Sequence, residues 1–156
     1  MAADPLQIAE GYLELGMLVD AIAEIENLPP VLKASSPALE KRMEIYRAGA
    51  RWALMEVVAR ELWKRHTDEP AYWNHLAWAV RRAESIEAAH ALMMEAAGRF
   101  PHDAMTNFNL GCYACQLGNI DEAKLRVGRA VELEAKFKLL AIDDPDLEPM
   151  WDTLKA

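Results

Sequence analysis

Hydrophobic positions along the chain recur at helical rather than strand spacing. The clearest stretch is Pro70 to Asp103, where Trp73, Leu76, Ala77 and Val80 are followed by Ala89, Met93 and Ala96. Separations of three and four residues place each group on one face of a helix. The two groups are divided by the mostly polar stretch Arg81 to Glu87, which predicts a helix, a short turn and a second helix. Ser85, Asp103 and Asn119 are candidate N-caps, and Asp4-Pro5, Ser36-Pro37 and Glu69-Pro70 set a proline at the start of a helix, where a missing N–H is harmless. Gly16 and Gly118 suit the turn after a first helix.

The hairpin repeats. After a shift of about 34 residues, Leu110-Gly111 stands for Leu76-Ala77, Ala123 for Ala89, Val127 for Met93 and Ala130 for Ala96. The preceding unit keeps Met43, Tyr46, Met55, Ala59 and Leu62, with Arg42 where a leucine is expected. The first keeps Ala9, Tyr12, Gly16, Ala21, Ile25 and Leu28. Four units follow without insertion: 2–35, 36–69, 70–103 and 104–137. Small residues at Ala77, Gly111, Ala89 and Ala123 allow close helix approach, while Trp, Tyr and Leu fill the space beside them.

The series Trp73, Leu76-Ala77, Val80, Ala89, Met93, Ala96 and Pro101 resembles the tetratricopeptide pattern, with its Tyr and Phe positions softened to Val80 and Met93. The resemblance implies an all-α fold, a right-handed α-solenoid of four helix-turn-helix repeats forming one domain. Residues 138–156 lie outside the period. Asp143-Asp144-Pro145 predicts one short amphipathic helix carrying Leu147, Met150, Trp151 and Leu154, which would cover the open end of the last repeat. The stretch Leu140 to Trp151 resembles the end-of-array segment of bacterial tetratricopeptide proteins, implying that the array ends there.

In that family, ligands lie on the concave face, chiefly at positions 2, 5, 9 and 12 of each first helix. The last two repeats place Ala71, Asn74, Trp78 and Arg81, then Met105, Phe108, Cys112 and Cys115, at those positions, with His75, Arg82, Asn109 and Gln116 beside them. Amides can bond an extended backbone, tryptophan supplies contact area and arginine grips a carboxylate in a two-pronged fork. The expected partner is therefore a protein or peptide. Some relatives grip acidic chaperone tails through a Lys, Asn and Arg clamp; Leu6 and Glu10 stand where that clamp needs Lys and Asn, which disfavours this ligand.

Composition narrows the function further. Hydrophobic residues at 53% and charged residues at 27% belong to a folding chain, and a net charge of -8 argues against non-specific nucleic-acid binding. The apolar runs fall short of the roughly 20 residues that span a bilayer, and the first ten residues have no basic leader, so no membrane partner and a cytoplasmic location are expected.

Cys112-Tyr113-Ala114-Cys115 has the spacing of a redox pair or half a zinc site. Its mid-helix position and the lack of a second pair favour small apolar packing residues, with metal capture alongside His75 as the other reading. No metal or cofactor is expected. The histidines at 66, 75, 90 and 102 form no ligand pair, and no nucleophile elbow or phosphate loop occurs. An interaction scaffold is thus expected, with a self-associating or homodimeric structural protein, or a secretion-chaperone-like one, as the alternative and an enzyme as a distant third.

Overall fold

The computed structural model describes residues 3–156, whose regular elements are all helices with no strand among them. The chain divides into two compact units, residues 1–66 and 67–156.

The first unit holds α1 (Pro5–Glu14), α2 (Leu18–Glu26), a single turn α3 (Pro30–Lys33), α4 (Ser36–Ala48) and α5 (Trp52–Arg65). Asp4 caps α1 by accepting from the Leu6 N–H, with Pro5 at the first helical position. The cap of α4 is Ser35, one residue earlier than the Ser36-Pro37 signal suggests, because its hydroxyl reaches the Ala38 N–H. Ala9, Ala21, Ile25, Leu39, Ile45, Tyr46, Met55, Ala59 and Leu62 form the core of this unit. The Tyr46 hydroxyl donates to Glu26 at 3.2 Å, and Arg65 donates to the Ala34 carbonyl at 2.8 Å, which ties α5 to the segment before α4.

The second unit holds α6 (Pro70–Ala83), α7 (Ile86–Arg99), α8 (Ala104–Gln116), α9 (Ile120–Leu133), α10 (Phe137–Asp143), a 3-10 segment (Pro145–Met150) and a last turn α11 (Trp151–Leu154). Ser85, Asp103 and Asn119 each accept a hydrogen bond from the backbone N–H three residues on, so all three are N-caps. Trp73, fully buried, donates its indole N–H to the Thr67 carbonyl at 2.8 Å and meets Phe100 edge-on. Helices α8 and α9 approach so closely that a Cβ on Gly111 would lie 2.7 Å from Val127 Cγ2 and 3.2 Å from the Val127 nitrogen.

The tail departs from the one helix expected after Asp144. Helix α10 begins earlier, at Phe137, and the residues from Pro145 wind as a 3-10 segment before α11. The segment is not α-helical because of Pro149, which has no N–H for the α-helical bond to the Pro145 carbonyl and whose ring would crowd that carbonyl. Leu147 and Met150 are fully buried, as amphipathic spacing requires. They lie along α8, not only at the end of the last hairpin.

Candidate functional site

The expected binding residues all fall in the second unit, on α6 and α8, and the structure sorts them into three groups. The first is a hydrogen-bonded relay. Asp103 accepts from the Thr106 hydroxyl at 2.6 Å, and that hydroxyl accepts from Asn74 Nδ2 at 3.0 Å. Asn74 Nδ2 also donates to the Pro70 carbonyl, and its Oδ1 accepts from Asn109 Nδ2 at 2.7 Å. Asn74 is therefore buried and spent within the fold, and its effect is to fix the amide plane of half-buried Asn109. Next to it the Arg82 guanidinium lies 5.2 Å from the centre of the half-buried Trp78 ring, a cation–π contact, and exposed His75 meets Tyr72 edge-on.

The second group is enclosed. Phe108 is buried with its ring centre 5.0 Å from that of Phe137. Cys112 and Cys115 are buried free thiols. Burial, followed by the charge of Asp144 and Asp146, pushes the Cys112 thiol far above its ordinary range; burial and then Asp146 raise Cys115 as well. These are the opposite of the electropositive surroundings that activate a cysteine. Among the described residues no cluster of three or more His, Cys, Asp or Glu side chains is placed to hold a metal ion. An open surface at Phe108, Cys112 and Cys115, as the helical positions alone implied, is not what the fold presents, because α10 and the 3-10 segment lie over them.

The third group is Arg81 and Gln116, which grip that segment. Arg81 forks onto both carboxylate oxygens of Asp146, the Nη2–Oδ1 arm measuring 2.9 Å. Its guanidinium rests 5.3 Å from the centre of the buried Tyr113 ring. Gln116 donates its amide N–H to the Asp146 backbone carbonyl at 2.8 Å. Asp144 caps the segment by accepting from the Asp146 N–H at 2.9 Å, and its other oxygen lies 3.9 Å from the Cys112 sulfur. Leu147 and Met150 supply the apolar anchors. The pairing joins residues 65 positions apart, and the sequence reading missed it, taking the acidic run only as a helix start.

Beside the start of this segment is an open, mostly apolar trough of about 410 Å³, lined by Met105, Phe108, Phe137, Leu139, Leu140 and the residues 143–145. Leu139 and Leu140 remain exposed along it. No helix among the described residues is long and apolar enough to cross a membrane.

No protein-family model and no curated protein sequence matches the chain. Several solved structures do. MamA 41-end from Desulfovibrio magneticus RS-1 aligns with a TM-score of 0.72 at 16% identity, over 85% of this chain and 77% of that one. TTC0263, a thermophilic TPR protein of Thermus thermophilus, aligns at 0.68 and 17% identity, over 96% and 81%. YrrB, described as a TPR protein with an unusual peptide-binding site, aligns at 0.64 and 12% identity, over 96% and 82%. At such identities the likeness shows the fold, and the fold is that of tetratricopeptide-repeat proteins.

Proposed function

We propose that this chain with the tetratricopeptide fold is a non-catalytic protein-interaction module, and that it takes a peptide or partner segment on the face made by α6 and α8. The observation that carries the reading is the relay Asp103–Thr106–Asn74–Asn109. Three side chains are committed to holding one amide in place, and among the described residues the Asn109 Oδ1 takes no hydrogen bond. An amide fixed in this way suits the backbone of an extended peptide, since its orientation is set before binding. Trp78 and Arg82 beside it are residue types that dominate binding energy at interfaces. YrrB, with its peptide-binding site, is a structural neighbour of compatible function. Function resides in the site and not in the fold, so the partner has to be read from these side chains.

The test is affinity capture with the tagged chain and with an Asn109→Ala, Arg82→Glu variant, once both show equal helicity by circular dichroism. A partner retained by the wild type and absent from the variant establishes the face as the binding surface. Identical captures would move the working surface elsewhere.

A further inference from the structure

The contacts made by Arg81, Tyr113 and Gln116 are those a groove makes with a bound peptide: a guanidinium fork on a carboxylate, an amide on a main-chain carbonyl, and pockets for two large apolar side chains. Here the peptide is the chain's own. We propose that residues 144–150 are a resident, displaceable ligand of the α6–α8 face, and that the partner received there is an acidic extended segment. Its aspartate takes the place of Asp146 on Arg81, and its apolar side chains take the places of Leu147 and Met150. The inference rests on the function proposed above and names the chemistry of its partner.

Three further features support displacement. The segment is 3-10 rather than α-helical, begins at Pro145 and contains Pro149, so it has little hydrogen-bonded structure of its own to lose when it lifts. Trp151 donates its indole N–H to the Ala141 carbonyl at 3.2 Å, so α11 is fastened to α10 and can stay in place when the strap lifts. The apolar trough beside residues 143–145 is continuous with the segment's start but left open by it. An outside ligand can place an apolar residue before its aspartate there, a contact the strap does not make. A tethered strap competes at an effective concentration on the order of millimolar. A peptide that copies only the strap therefore binds the wild type weakly, and better once the strap is loosened.

The probe is a fluorescent peptide with the sequence of residues 142–151, added to the full chain in three forms: wild type, Asp146→Asn, which weakens the strap, and Arg81→Met, which removes the clamp. The expected result is at least tenfold tighter binding to Asp146→Asn than to wild type and loss of binding to Arg81→Met. Alkylation of Cys112, which the strap covers, should be faster in Asp146→Asn and slowed again by the peptide. No binding to an Asp146→Asn chain that melts like wild type would overturn the proposal. If that variant melts early, wild type with millimolar peptide decides the matter. Faster hydrogen exchange at 145–150 upholds displacement, and unchanged exchange overturns it. A wild-type dimer that dissociates in Asp146→Asn would replace the proposal with strap exchange between copies. Failure of these tests with Asn109- and Arg82-dependent capture intact would leave the proposed function standing, on a different part of the face.

Discussion

Two backbone positions, one at a close helix contact and one in a turn, carry opposite instructions. Gly111 is where α8 and α9 touch, and adding a methyl group there meets Val127, a stiff β-branched side chain, and its backbone nitrogen. Alanine would gain about 1 kcal/mol in helix propensity, but overpacking of about 1–3 kcal/mol opposes it. Gly111→Ala is expected to lower the thermal midpoint, and an unchanged or higher midpoint would show that the contact relaxes freely. Ala50 is the reverse case. It sits at φ 53 in the turn between α4 and α5, where the turns at Gly16 and Gly118 use glycine at φ 72 and 81. In each turn the next residue's N–H reaches back across the bend, as Arg51 to the Tyr46 carbonyl and Asn119 to the Ala114 carbonyl. A left-handed alanine costs roughly 1–2 kcal/mol, partly offset by glycine's greater freedom in the unfolded chain. Ala50→Gly should raise the denaturant midpoint, by up to about 1 kcal/mol in stability. The cysteines belong to this scale too: with both thiols buried and raised, native Cys112 and Cys115 should react slowly with a disulfide reagent at neutral pH, and rapidly in denaturant. Fast native labelling would mean that the covering segment is open most of the time.

At the level of elements, what could be read from the sequence was local. The caps at Ser85, Asp103 and Asn119, the glycine turns and the spacing of Trp73, Leu76, Ala77 and Val80 all act within one helix or one hairpin. Chemistry confined to a few consecutive residues is written in those residues. The tail was legible only in part. Its amphipathic spacing foretold the burial of Leu147 and Met150, but the proline at 149 makes a 3-10 segment of what the Asp144-Pro145 start announces as a helix. The candidate site was less legible still. Helical positions put Asn74, Trp78 and Arg81 on α6 and Asn109 and Gln116 on α8. They do not say that Asn74 is consumed by Thr106 and Asn109, nor that Arg81 closes on Asp146. Those outcomes depend on long-range pairing, for which a single sequence carries no periodic signal. An arginine facing a helix groove and an acidic tail with two prolines are each unremarkable until the fold joins them. Thr106→Val removes the hydroxyl that takes the Asn74 N–H, and so leaves a buried donor unsatisfied, at about 1–3 kcal/mol. It should also weaken partner binding by freeing Asn109, without touching any surface residue. Equal affinity with lowered stability would restrict the relay to a structural part.

For the whole molecule the question is how stability is distributed. Leu110 and Leu147 are both fully buried, but one is in the middle of α8 and the other in a short segment laid across it. Truncating a buried leucine costs about 2–5 kcal/mol when the surrounding structure stays in place around the cavity. That condition holds for Leu110, which is enclosed by helices that unfold only with the hairpin itself. It does not hold for Leu147 if the strap opens while the helices stay folded, because proteins can open locally at a segment with little hydrogen-bonded structure of its own. Leu110→Ala should therefore lower the melting temperature strongly. Leu147→Ala should change it much less, while speeding hydrogen exchange at 145–150 and alkylation of Cys112. If the two substitutions lower the melting temperature equally and exchange at 145–150 stays tied to global unfolding, the segment is one more layer of the core. The groove beneath it would then be closed for as long as the protein is folded.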